Sequence, residues 1–322
     1  MKLGVFTPLF GALRFEEMLE KVKSYGLDCI ELGTGNYPGS DHLDLDALLE
    51  SAALRQQYID KIGMAGLSIS ALSCHGNPVH PNRETAEAHH DVFRKTVMLA
   101  EKMGVPVVVG FSGCPGDSPE AKRPNWVTCA WPPDYQEILD WQWNQVLIPY
   151  WKEQNAFLDD HGIKMALEMH PGFNVYNPET LLKLREAAGQ QIGANLDPSH
   201  LFWQGIDIPT AIKRLGKDDA IFYFHAKDTA IDKQNTAENG VLDVKGYGRL
   251  AERSWIFRSV GWGHDQVYWR EVISALRTVG YDYVLSIEHE DALASSDEGL
   301  RKSVEFLKDV VLREQPAQMW WA

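Results

Sequence analysis

The sequence predicts an α/β protein, a (β/α)8 barrel, on three observations. Short apolar runs alternate with longer amphipathic segments, and eight such units can be counted, the pattern of a parallel sheet with crossover helices. The length of 322 residues suits one barrel domain, so a single domain over 1–322 is expected. Acids and imidazoles close the later apolar runs, which is where a barrel builds its site. A doubly wound open sheet is the competing arrangement.

The predicted strands are Leu3–Phe6, Cys29–Leu32, Ile69–Leu72, Val107–Phe111, Met165–Glu168, Gly193–Asp197, Ile221–His225 and Val284–Glu288. Helices are expected to begin near Phe15, Leu45, Arg83, Asp134, Pro178, Pro209, Gln266 and Glu298, several of them behind Asn82, Asn177 or Asp297 as capping or first-turn residues. Gly26, Gly66, Gly104, Gly162 and Gly280 stand where a helix ends and a left-handed residue is wanted. Two long βα connections, Ser112 to Pro133 after strand 4 and Thr229 to Asp265 after strand 7, break the regularity. Both should lie at the carboxyl-terminal face and shape a pocket.

Composition excludes several classes. A net charge of −14, with no run of Lys and Arg, argues against nucleic acid as a partner. No apolar run approaches the roughly 20 residues that span a bilayer, and Met1 to Phe6 reads as a strand rather than a signal peptide, so a soluble, cytoplasmic protein is expected. Cys29, Cys74, Cys114 and Cys129 form no framework and should be reduced thiols, Cys29 in the core. The terminal Met319-Trp320-Trp321-Ala322 is expected to pack on the barrel or on a neighbouring subunit.

The chemistry lies at the ends of strands five to eight: Leu167-Glu168, Leu196-Asp197, Phe224-His225 and Ile287-Glu288. Neighbouring strands sit about 4.8 Å apart, so residues at matching height can converge on one ion. Three carboxylates and an imidazole suit a hard or borderline divalent ion, Mn²⁺ first, with Mg²⁺, Co²⁺ or Zn²⁺ as alternatives. A structural charge network is the competing explanation. Lys227 shares the inward parity of His225, and His200 follows Asp197 by one turn; both are candidate substrate contacts. His75 and Asn77 end the third strand in Cys74-His75-Gly76-Asn77. Trp126, Trp262, Arg258 and His264 fall in the long connections and could reach a ligand.

These residues resemble the xylose-isomerase-like TIM-barrel superfamily, often labelled sugar phosphate isomerase/epimerase. The likeness rests on Leu167-Glu168, Leu196-Asp197 with His200, His225-Ala226-Lys227-Asp228 and Ile287-Glu288-His289-Glu290-Asp291. It implies one divalent ion on Glu168, Asp197, His225 and Glu288, with Glu168 and Glu288 also acting as an acid/base pair. Its members include ketose 3-epimerases, inosose isomerases and dehydratases, and subunits of enzymes that cleave C-glycosides of 3-keto sugars. The expected activity is therefore proton transfer beside a carbonyl of a keto-sugar or related polyol.

Three alternatives stand beside it. The first is a lyase or dehydratase that expels a β-substituent from a 3-keto glycoside or an inosose, with His75, His200 or Lys227 protonating the leaving group. The second is an endonuclease IV-like nuclease, which Phe111 counts against because a multi-zinc site needs histidine there. The third is a non-catalytic, metal-bearing sugar-binding subunit. A homo-oligomer or a small partner subunit is compatible with each.

Overall fold

The structure is a computed structural model that describes residues 1–315 and 317–321. Eight parallel strands form a closed barrel in which the eighth, Val284–Ile287, pairs with the first, Lys2–Phe6. Between them run Cys29–Gly33, Ser68–Ser73, Val107–Gly110, Lys164–Glu168, Ile192–Leu196 and Ile221–Ala226. Closure excludes the open sheet. Every expected strand is present with its ends displaced by no more than one residue, which leaves Phe111, Asp197 and Glu288 just past their strands.

The strands are buried because helices cover their outer face while side chains fill the interior. Leu3, Ile30, Leu72, Leu167, Leu196, Phe224 and Leu285 face the helical layer and are fully enclosed, each contributing roughly 1.5–3 kcal/mol. Inside, Cys29, Ala71, Val109, Ala166 and Tyr223 form a separate cluster that plugs the barrel. Tyr223 lies two residues before His225 on one strand, so this plug is the floor beneath the site.

Helix starts follow local chemistry. Asn82 and Asn177 accept from the backbone N–H of Thr85 and Thr180 as N-caps. At the last helix, Ser296–Val310, the cap is Ser295, and Asp297 lies in the first turn instead. After the second strand the expected single helix is two, Leu45–Glu50 and Ala52–Met64, broken at Ser51. Gly104 ends Arg83–Met103 at φ +68° and donates back to Ala100, the left-handed closure expected of it.

The two long connections are more ordered than the sequence suggests. Residues Asp228–Ile231 and Trp255–Arg258 pair as an antiparallel ribbon, with a helix at Lys233–Asn239 between them; the strand-like runs Thr229-Ala230-Ile231 and Trp255-Ile256-Phe257 hold the missed signal. After the fourth strand the chain forms Asp134–Trp141, a π-helical turn at Gln142–Leu147, and Ile148–Asp160. Gln142, fully buried, donates to the carbonyls of Gly116 at 2.9 Å and Asn125 at 2.7 Å, and accepts from Asn174 at 3.0 Å. It latches the 112–133 connection to the barrel.

All four cysteines are free; three are buried, Cys29 among them as expected, and Cys129 is exposed. Burial pushes the Cys29 thiol up to about 12, so it is inert at neutral pH. Trp320 and Trp321 do not pack on the barrel: they are 88% and 69% exposed and meet each other edge to face at 5.7 Å. Ala322 lies outside the described residues. Among the described residues no helix is long and apolar enough to cross a membrane.

Candidate metal centre

Glu168, Asp197, His225 and Glu288 are carried on or just past strands five to eight, and each offers one ligand atom within 4.8 Å of the others. Asp197 is held by its own backbone: as N-cap of the short helix Pro198–Phe202 its Oδ1 accepts from the Ser199 N–H at 2.8 Å, which leaves Oδ2 aimed at the centre. Neighbouring registers Ser286 to His225 and Glu168 to Asn195 set the remaining groups at one rim.

Glu168 is the hub. Its Oε2 lies 3.0 Å from His75 Nε2 and 3.1 Å from Asn195 Nδ2, and its Oε1 lies 3.1 Å from His200 Nε2. His225 Nδ1 stands 3.3 Å from oxygens of both Glu168 and Glu288. Lys227 Nζ sits 3.1 Å from Glu288, also contacts Glu290, and lies 4.2 Å from the Phe257 ring centroid.

The electrostatics are those of a dry acidic cluster. Burial raises the Asp197 carboxyl to about 6 against the pull of His200 and Lys227. Burial also opposes ionisation of Glu168, but the imidazoles of His200, His225 and His75 beside it hold it well below the usual carboxylate range. Burial lowers Lys227 and His225 as well; the charges of Glu288 and Glu290 on Lys227, and of Glu31 and Glu288 on His225, outweigh it and raise both. His170, half-buried beside His200, is lowered to about 3 by desolvation and by the charge of His200.

The donor set fits a divalent cation. Asp197 Oδ2 and His225 Nδ1 are buried and have no hydrogen-bond partner, which is costly for polar atoms unless something else satisfies them. Both face the same acidic centre, and with the His225 proton on Nε2 toward Glu31 each would offer a lone pair to one ion.

The residue that sequence reasoning missed is Glu31, fully buried in the second strand. Both its oxygens lie 3.0 Å from His225 Nε2, and it also accepts from the hydroxyls of Ser73 and Ser286. A carboxylate inside the apolar run Cys29-Ile30-Glu31-Leu32 was the available signal.

Above the centre opens a chamber of about 360 Å³, lined by Phe6, Tyr37, Phe111, His170 and His289 together with His75, Glu168, His200, Lys227, Glu288 and Glu290. Of the expected substrate contacts, His75, His200 and Lys227 line it. The other five do not. Asn77 spends its amide on the Cys114 backbone, accepting at 3.1 Å and donating at 2.9 Å. Arg258 donates to Asp291, and His264 is bound to Asp228 at 2.7 Å and stacked on Phe202. Trp126 meets Tyr176 edge to face, and Trp262 lies half exposed between the cations of Arg258 and Lys302. Loop folding turned these side chains toward packing.

Fold and site together define an α/β barrel that gathers acids and imidazoles at the carboxyl ends of its strands. The chain belongs to the xylose isomerase-like TIM barrel family, which residues 19–310 match. It is 40% identical to the uncharacterized protein YfiH of Bacillus subtilis over 97% of this chain and 99% of that one. Among solved structures it is similar to the probable 3-DHS dehydratase AsbF of Bacillus anthracis (TM-score 0.66, 16% identity, 96% and 99% of the two chains). It is also similar to the IolI protein with a bound zinc atom (0.65, 18%, 97% and 98%). A third is D-psicose 3-epimerase in the presence of D-fructose (0.55, 16%, 97% and 99%). At these identities the structural likeness is one of fold.

Proposed function

We propose that the protein is a divalent-metal-dependent sugar isomerase or epimerase that moves a proton next to the carbonyl of a keto-sugar or related polyol. The observation that carries this reading is the pair Glu168 and Glu288. They reach from the fifth and eighth strands to within 3.3 Å of one imidazole nitrogen and line one chamber. Glu168, Asp197, His225 and Glu288 would hold the ion, Mn²⁺ in our reading. Once bound, it stabilises the negative charge that builds on a carbonyl oxygen when the adjacent carbon loses its proton.

The protein's own groups do the rest. One carboxylate removes the carbon-bound proton and the other returns a proton on the opposite face, inverting the centre. Lys227 Nζ, 3.1 Å from Glu288, and His75 and His200, about Glu168, are the neighbours through which those carboxylates exchange protons. Phe6, Phe111 and Tyr37 give the chamber an apolar wall. The same three donors favour elimination of a β-substituent as a second reading, since each could protonate a departing oxygen.

The test is incubation of the Mn²⁺-loaded protein with keto-sugars and 3-keto glycosides in D2O. Deuterium entering an intact skeleton is the result expected of an epimerase. A released aglycone would move the assignment to a lyase, and no exchange with any member of the panel would sink both.

A further inference from the structure

A second cavity of about 460 Å³ adjoins the chamber, and the two share His170 and Glu290 as walls. Its other walls are Tyr247, Leu250, Ile256, Phe257 and Ala292, all from the ribbon connection or the turn after the eighth strand. The contrast with the first chamber is chemical. The first sets acids, imidazoles and a lysine beside its aromatic walls; the second is mostly aliphatic and aromatic, with only His170 and Glu290 as ionisable walls besides Tyr247 among the described residues.

This annex is built firmly. Tyr247 and Phe257 lie nearly parallel with centroids 5.7 Å apart, and the Arg253 guanidinium sits 4.5 Å from both the Tyr247 and Trp255 rings. Trp255 in turn stacks on Trp203 at 4.7 Å and 4°. Asp243 accepts from the Ser254 N–H at 2.7 Å, tying the outer segment to the ribbon. Phe257 lines the annex and touches two walls of the chamber: Lys227 stands over its ring, and His200 meets it edge to face at 5.3 Å.

We infer that the annex receives an uncharged, apolar and preferably aromatic substituent of the substrate whose oxygen-rich part occupies the metal chamber. This rests on the proposed function and narrows its substrate class to keto-sugars or cyclic polyols that carry an aryl or alkyl group in glycosidic or ether linkage. Because His170 and Glu290 are walls of both spaces, we take the occupant to be part of the same molecule. A phosphate is a poor occupant, because the lining of the annex holds no lysine or arginine and is mostly apolar. An aromatic ring gains from the Tyr247–Phe257 pair by offset stacking and area burial.

The test is calorimetric titration of the Mn²⁺-loaded protein with phenyl β-glucoside and methyl β-glucoside, which differ only in the substituent. Burying a ring predicts phenyl binding at least about tenfold tighter. Leu250→Asp, which charges the wall, and Ala292→Trp, which fills the space, should each close that gap and leave methyl β-glucoside binding as it was. Absence of the gap in the wild-type protein, through equal or undetectable binding, overturns the inference, as does a gap that survives both variants. Deuterium exchange reads the other proposal separately. A gap without exchange keeps the annex and removes the catalytic reading; exchange without a gap does the reverse.

Discussion

Glu31 presents both carboxylate oxygens to His225 Nε2, each at 3.0 Å, from a strand three places round the barrel. With its two serine donors on strands three and eight, it fixes the ring's orientation and commits the Nε2 proton, leaving Nδ1 turned toward Glu168 and Glu288. Such a carboxylate behind a histidine commonly sets ligand tautomer and basicity.

Glu31→Gln should therefore weaken Mn²⁺ binding by roughly 10–100-fold while the far-ultraviolet circular dichroism stays that of the wild type. Calorimetric titration of the apoprotein with Mn²⁺ measures it. Unchanged affinity would reduce Glu31 to a packing role.

Replacing the proposed acid/base pair should stop chemistry more completely than binding. Glu168→Gln and Glu288→Gln are each expected to lower deuterium exchange by about 10²–10⁴-fold. Metal content after dialysis, read by atomic emission, separates loss of the ion from loss of the base. Turnover at the wild-type rate in either variant would exclude that residue from proton transfer.

Ion removal should cost stability. Asp197 Oδ2 and His225 Nδ1 are buried without partners, so an ion present at 100 times its Kd should stabilise the fold by about 2.7 kcal/mol. Thermal unfolding before and after chelation, then after Mn²⁺ return, is the measurement. A Tm indifferent to all three conditions contradicts the centre.

Asp228 anchors the ribbon. One oxygen accepts from the backbone of Gly261, Gly263 and His264 and from the Trp269 indole, and the other accepts from Thr229 and meets the His264 ring. Asp228→Ala strands these donors and should destabilise the protein by about 3 kcal/mol or more. Gly263→Ala should also fail, since a Cβ there would sit 2.2 Å from the Thr229 carbonyl oxygen. Urea unfolding of both variants gives the answer.

Asp243 predicts a pH effect. Burial raises its carboxyl, but Lys245 and the N–H groups of Ser254 and Lys245 outweigh that and bring it down to about 2. A depressed folded pKa makes its contribution complete above the unfolded value of about 3.9 and lost as pH falls through about 2. The stability difference between wild type and Asp243→Asn, measured from pH 7 to pH 2, should shrink over that lower interval. A constant difference would count against it.

The barrel was legible because most of its strands are largely apolar runs, so that a charge at the carboxyl end stands out, as at Glu168, Asp197, His225 and Glu288. Glu31 carried the same mark one strand pair away, but it sits inside its run, where a lone acid reads as an interruption. The residues of the long connections resisted reading for a different reason. Whether Trp262 or Phe257 faces the ligand depends on ribbon pairing and on Asp228, and neither residue type nor spacing determines that. His75, His200 and Lys227 were readable because each follows a strand end closely enough to inherit its direction.

The latch at Gln142 bears on how this barrel could change over generations. The π-helical turn aims one amide at carbonyls that belong to a different segment, so neither the 112–133 connection nor the helix pair behind it is an independent module. A lip of different course would have to bring its own carbonyls to the Gln142 amide. Through Asn174, which donates to the same amide, the tie reaches on into the connection after the fifth strand, so a change at this lip is felt in three segments at once.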